Sequence, residues 1–267
     1  GKKVVVEFVS ANPTGPMHLG NARGGVVGDC LASILDFAGY QADREFYLND
    51  AGNQIQRFGA SLEARYLQLY KGKDVVDFPE DGYQGEDIID NAKEFAEKFG
   101  DSFVEASSQQ RRAALVEYIL PRNVELMRST LEKYRVEYDT WFSETTLHED
   151  GSIDRMVELL KDKNLAYEQD GALWYKATEF GGEQDEVLIR SNGNPTYFAA
   201  DIAYHYNKFA ERGYDIAVNL WGSDHHGHVA RLKGAMDAIG LRGDALEIIL
   251  FQFVHLIKDG EPFRMSK

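Results

Sequence analysis

The sequence predicts an α/β fold: a Rossmann-like parallel sheet that binds nucleotide, with a helical insertion and a small antiparallel flap. Three observations lead there. Val4-Val5-Val6 and the run 215–221 (DIAVNLW) are near-continuous apolar segments of the kind buried on both faces of a parallel sheet. Each is followed by turn residues and then a helix-period pattern, which gives right-handed strand–helix–strand units. Between them, 86–134 reads as helix, and short extended runs at 173–175 and 186–190 flank the turn Gly181-Gly182.

Taken in order, Asn12-Pro13 and Gly15-Pro16 stop the first strand and force an irregular loop. His18-Leu19-Gly20-Asn21 opens a helix that runs to about Phe37. Residues 43–49 (DREFYLN) read as the second strand and 55–70 as a helix. The stretch 71–85 reads as an exposed connection. The helical insertion breaks near Gly100-Asp101 and is strained at Pro121. Residues 138–144 (YDTWFSE) look extended, and 152–163 is a helix capped by Ser152. A helix over 200–212, the strand 215–221, a helix to Ile239 and a last strand over 246–256 complete the pattern. The organisation expected is a first half-domain over 1–70, an insertion over 71–190 (helical at 86–135, flap at about 164–190), and a second half over 191–267. The sequence stops inside a polar stretch, Arg264-Met265-Ser266-Lys267, which points to a segment of a longer chain.

Composition narrows the function. Apolar residues make up 43% of the 267, enough for a substantial core. No apolar run reaches the roughly 18 residues of a membrane span. The lone Cys30 excludes an internal disulfide framework and a cysteine zinc cluster, and suits a cytoplasmic setting. A net charge of −15 gives no general basic surface for DNA, although a local basic groove can coexist with an acidic remainder.

The polar clusters carry the chemistry. SANPTGPMHLGN, GSDHHGH and RMSK each follow a strand, and the carboxyl edge of a parallel sheet is where such clusters meet a ligand. A helix N-terminus offers free N–H groups and a favourable dipole to phosphate; His18 adds a donor and Gly20 leaves room for a flat ring. Asp224, His225, His226 and His228 are residue types that suit zinc. The adjacent pair His225-His226 points in two directions, however, so no metal site is assigned.

These strings carry a resemblance. HLGN and RMSK resemble the two signatures of class I aminoacyl-tRNA synthetases, with Asn21 and Arg264 departing from the usual histidine and lysine. The longer strings VEFVSANPTGP, FYLNDAGNQI and NPTYFAADIAYH resemble the catalytic region of bacterial arginyl-tRNA synthetases, over essentially Val4 to Lys267. The resemblance implies ATP-dependent activation of L-arginine to arginyl-adenylate and its transfer to tRNA-Arg, with Mg²⁺ accompanying ATP as part of the substrate complex.

By the same resemblance His18, Gly20, Asn21 and Lys267 address ATP, and His18, Asn21, Ser266 and Lys267 support the reaction. Glu144, Tyr197 and Asp201 face the guanidinium; Ser10, Asn12 and Asp224 hold the amino-acid end, with Glu7 nearby. The family's N-terminal and C-terminal tRNA-binding domains are expected outside this chain. The family also needs tRNA before it activates arginine, so the chain alone is expected to bind ligands with little or no turnover. The alternatives are another enzyme of the same nucleotidyl-transfer fold, such as a nucleotidyltransferase or a cysteinyl-tRNA synthetase (the latter disfavoured by the single cysteine), and a non-catalytic nucleotide- or RNA-binding paralogue.

Overall fold

The structure, a computed structural model, describes all residues except 253, 255 and 264–267, together with all side chains there but those of Asp224, Pro262 and Phe263. The chain forms two compact units. Unit one comprises Gly1–Ser10, Ala22–Tyr47 and Glu137–Phe253; unit two comprises Ala11–Asn21, Leu48–Val136 and Val254–Lys267.

The expected parallel sheet is present. Strands β1 (Lys3–Glu7), β2 (Gln41–Leu48), β3 (Thr140–Ser143), β7 (Ile216–Gly222) and β8 (Leu246–Phe251) lie in the order β3-β2-β1-β7-β8. β1 pairs parallel with β2 and with β7, and β7 with β8. Val4, Val5 and Val6 are fully buried, as a central strand covered on both faces requires. The chain leaves β1 toward β2 on one side and returns to β7 on the other. The carboxyl ends of β1 and β7 therefore form a switch point, where open α/β sheets bind ligands.

Helix α1 (Leu19–Phe37) follows β1. At Gly28 a Cβ would sit 2.1 Å from Cγ of the buried Phe8, so only glycine lets the helix press onto that ring. The flap is also present: β4 (Ala166–Gln169), β5 (Ala172–Tyr175) and β6 (Glu186–Ile189) form an antiparallel sheet in that order. Its first strand was not legible, because Ala166–Gln169 has no apolar alternation. Helices α5 (Glu144–Glu149), α6 (Ser152–Asp162), α7 (Tyr197–Tyr206) and α8 (His226–Ile239) complete unit one.

Unit two is built on α2 (Asn53–Lys71), α3 (Glu86–Phe99) and α4 (Ser108–Lys133), around Phe58, Leu62, Tyr66, Phe95 and Leu115. Gly100 ends α3 at φ 57°, where the break was expected. Helix α4 contains Pro121, where strain was expected, and continues to Lys133. Two expectations are corrected. Gly151, not Ser152, is the cap of α6; the Ser152 N–H donates to Asp150 Oδ1 at 2.8 Å. The last long strand ends at Phe251, and Leu256–Lys258 pairs with Glu261–Phe263 as a separate hairpin, β9 and β10.

Candidate active site

The register of the sheet sets Glu45 of β2, Glu7 of β1 and Asn219 of β7 abreast. Paired residues of parallel strands face the same side, so three polar side chains share one row of a sheet whose neighbours are apolar. All three are buried, and so is the cation that meets them. Lys208 Nζ lies 2.6 Å from Glu7 Oε2, 3.0 Å from Asn219 Oδ1 and 3.7 Å from Glu45 Oε1. It stands in a π-helical turn, Asn207–Glu211, that follows α7. Glu45 is bound further by the Arg212 guanidinium and the Tyr204 hydroxyl. Burial alone would raise its carboxyl; Arg212 and Lys208 more than offset this and hold it below its ordinary value.

From this row the polar contacts run in two directions. Toward the end of β1, Ser10 Oγ donates to Glu7 Oε1 at 3.1 Å and accepts the Tyr47 N–H at 3.1 Å. Val9 and Ser10 adopt φ of 68° and 42°, a left-handed conformation unfavourable for a β-branched residue. The turn is held by Ser10 N–H donating to the Phe8 carbonyl, which also accepts the Tyr138 hydroxyl. The strain thus sits at the residue expected to hold the amino-acid end of the substrate.

Toward α7, Asn219 Nδ2 donates to His205 Nε2 at 2.9 Å, and His205 Nδ1–H donates to the Asp201 carbonyl at 2.8 Å. With one ring nitrogen accepting, the imidazole is neutral. Burial, and then the charge of Lys208, push His205 down to about 3. An unbroken set of buried and partly buried hydrogen bonds therefore links Ser10 and Glu7 to the backbone of Asp201.

Asp201 itself lies on α7 one turn after Tyr197, so both are on one helix face. Thr196, whose side chain accepts the Ala199 N–H, is the cap; Asp201 is not. Glu144 opens α5 directly after β3 and is buried, unlike a loop carboxylate in water. The Tyr47 hydroxyl donates to it, and His148 Nε2 is 3.4 Å from its Oε1. Burial raises the Glu144 carboxyl and the nearby Asp201 charge adds to that, while Tyr47 and His148 oppose it. Burial and the Glu144 and Asp201 charges hold the Tyr47 phenol well above its ordinary value, so it remains a donor.

Unit one thus brings together Glu7, Ser10, Glu144 and Asp201, with Tyr197 exposed at the start of α7. Asp224 follows β7 in a short 3₁₀ turn, Ser223–His225; its side chain lies outside the described part. Asn12, His18, Gly20 and Asn21 belong to unit two. There the His18 N–H donates to Asn21 Oδ1 at 3.0 Å and the Asn21 N–H to the His18 carbonyl at 2.9 Å. Asn21 is the third residue of the helix counted from His18, so its side chain reaches back to the cap as in a capping box. The departure from the usual histidine therefore has a structural use. Arg264, Ser266 and Lys267 lie outside the described residues.

His225 is the N-terminal boundary residue of α8 and makes no side-chain cap bond. Among the described residues no group of three His, Cys, Asp or Glu side chains could hold a metal, and no helix is long and apolar enough to cross a membrane. Sequence reasoning missed Tyr47, Lys208, His205 and Asn219. Of these only Asn219 carried a local signal, a polar residue within the apolar run 215–221, since Lys208 and His205 lie on the helical stretch after Tyr197.

A family model for the catalytic domain of class I tRNA synthetases (R) matches residues 1–267. Arginine–tRNA ligases of Ruminiclostridium cellulolyticum and Caldanaerobacter subterraneus are 57% and 60% identical over 267 residues, which is all of this chain and 47% of each relative. The chain thus spans about half the length of the curated relatives it matches. A crystal structure from Campylobacter jejuni, described as an arginyl tRNA synthetase, aligns with TM-score 0.89 at 40% identity, covering 100% of this chain and 58% of that one. The arginyl-tRNA synthetase of Thermus thermophilus, at 20% identity and TM-score 0.71 over 94% of this chain and 48% of that one, shares the fold. The chain belongs to the class I tRNA synthetase (R) catalytic-domain family.

Proposed function

We propose that the protein carrying this chain is an arginine–tRNA ligase of the cytoplasm. It joins L-arginine to ATP, supplied as its Mg²⁺ complex, to give arginyl-adenylate and pyrophosphate, then transfers arginine to tRNA-Arg. The observation that carries this reading is the pair of carboxylates, Glu144 and Asp201, gathered with Tyr47 at the carboxyl ends of the sheet. A guanidinium is planar, permanently charged and presents a fork of donors, so it requires such a set of acceptors. Burial leaves Glu144 reluctant to ionise, and an arriving guanidinium supplies the charge it lacks.

The chemistry needs no side-chain nucleophile. A carboxylate oxygen of arginine forms the bond to the α-phosphorus, the bond to the β-phosphate oxygen breaks, and pyrophosphate leaves with the electron pair. The protein positions the reactants and stabilises charge. In this reading Tyr197 joins Glu144 and Asp201 at the guanidinium, while Ser10, Asn12 and Asp224, with Glu7 behind them, hold the amino-acid end. His18 and the Nδ2 donor of Asn21 steady the phosphates, Gly20 lies beneath adenine, and Ser266 and Lys267 neutralise the departing pyrophosphate. The family resemblance supports these assignments. The test is charging of tRNA-Arg by the full-length protein with labelled amino acids. Arginine is expected to be esterified; charging with a different amino acid, or none, contradicts the reading.

A further inference from the structure

We infer that His228 and Arg231 are positioning residues for arginine selection, acting through Asp201. The inference deepens the proposed function and rests on Asp201 being a guanidinium partner.

His228 Nε2 lies 2.7 Å from Asp201 Oδ2, and Arg231 Nε lies 2.9 Å from His228 Nδ1. A guanidinium N–H only donates, so Nδ1 accepts and carries no proton. The remaining ring nitrogen then bears the hydrogen and donates it to Asp201. The chemistry of arginine thus fixes the direction of both bonds and the tautomer of the ring. Arg231 is itself anchored on β6, where its guanidinium pairs with Glu186. The ring is hemmed in by Trp221 and Phe198, with centroids 5.5 and 5.7 Å away. Only 11% of the His228 side chain is exposed, against 29% for Asp201.

Two consequences follow for the site. The bond to Oδ2 fixes the rotamer and plane of the Asp201 carboxylate, the property a bidentate partner needs. The imidazole also supplies that bond without a positive charge, so it does not compete with the substrate for Asp201. A histidine protonated on both nitrogens would neutralise the carboxylate that arginine requires.

The test uses the full-length protein with its tRNA. His228→Leu removes the donor, and the arginine KM is expected to rise about ten- to a hundredfold, the loss typical of a hydrogen bond to a charged group. The KM for ATP is expected to stay within about twofold, because only arginine meets Asp201. His228→Gln, which keeps a donor, is expected to recover much of the loss. Arginine-analogue selectivity should fall in parallel: the advantage of arginine over its neutral isostere citrulline shrinks in His228→Leu. The proposal is overturned if the KM values for arginine and ATP rise equally, or if Gln and Leu behave alike. Asp201→Ala separates the two levels. If it leaves the arginine KM unchanged, the guanidinium assignment fails; if it raises that KM while His228→Leu does not, the positioning role alone fails.

A spectroscopic readout holds even where a variant does not fold. Nitrogen-15 spectra of histidine-labelled wild-type protein should show His228 as the neutral form protonated at Nε2. A ring protonated at Nδ1, or at both nitrogens, overturns the inference.

Discussion

Replacing Lys208 by Met tests whether the buried row organises unit one. The Lys208 side chain is fully buried and its Nζ is shared by Glu7, Asn219 and Glu45, over the face of Tyr204 at 4.2 Å. Methionine fills nearly the same volume, so the packing loss is small and the electrostatic loss dominates. Glu45 keeps Arg212 and Tyr204; Glu7 keeps Ser10 and loses its cation. Removing one partner of a buried ion pair typically costs about 3–5 kcal/mol, because the other charge stays buried uncompensated. That is at least about a fifth of the roughly 5–15 kcal/mol that stabilises a domain. The assay is urea unfolding of Lys208→Met, Glu7→Gln and the double variant. Glu7→Gln should be milder, since Lys208 retains Glu45, and the double variant should be more stable than the sum of the single losses implies. A Lys208→Met loss below about 0.5 kcal/mol, the level of an ordinary surface change, would show that the row does not organise unit one. So would strict additivity in the double variant.

Four further outcomes are expected. His205 is neutral in the fold and held near 3 against an ordinary 6.5, so between those values only the unfolded chain binds the proton. Stability contributed there is therefore full above pH 6.5 and falls by up to about 1.4 kcal/mol per unit as the pH drops toward 3, a slope that a His205→Asn variant should lack in pH-dependent unfolding. Gly28→Ala drives a methyl into Phe8 and should destabilise by about 1–3 kcal/mol in denaturant titration; an unchanged midpoint contradicts the tight contact. Steady-state charging by Asp201→Ala and Tyr197→Phe should show the arginine KM raised much more than that of ATP, equal rises counting against the guanidinium assignment. Lys267→Ala should lower kcat in the same assay and leave arginine binding intact; the reverse pattern contradicts its role at the phosphates.

What the sequence disclosed follows a physical division. Val4–Val6 and the strand after Asp215 were legible because a strand buried on both faces must be apolar along its length. The break at Gly100 was legible because a left-handed residue was needed there. Glu144 was not legible as a buried group: nothing local says that α5 starts at it and folds it beneath Tyr47. Lys208 reads as a surface lysine in a helical pattern, and its burial depends on Glu7, Glu45 and Asn219 lining up across three strands far apart in the chain. His228 stood out within GSDHHGH as a metal candidate. Its partners turned out to be Asp201 and Arg231, and only the tertiary fold brings Asp201 to it. Sequence patterns reported which segments are buried; the pairing of charges inside them needed the register.

The acidic group at the end of this sheet is proposed to select arginine for activation. Exchange of labelled pyrophosphate into ATP by the full-length protein, run with each amino acid in the presence and absence of tRNA-Arg, tests it most directly. Exchange is expected to require L-arginine, to depend on tRNA and to collapse at low arginine concentration in Asp201→Ala. Exchange driven by another amino acid, or arginine-driven exchange indifferent to Asp201, would contradict it.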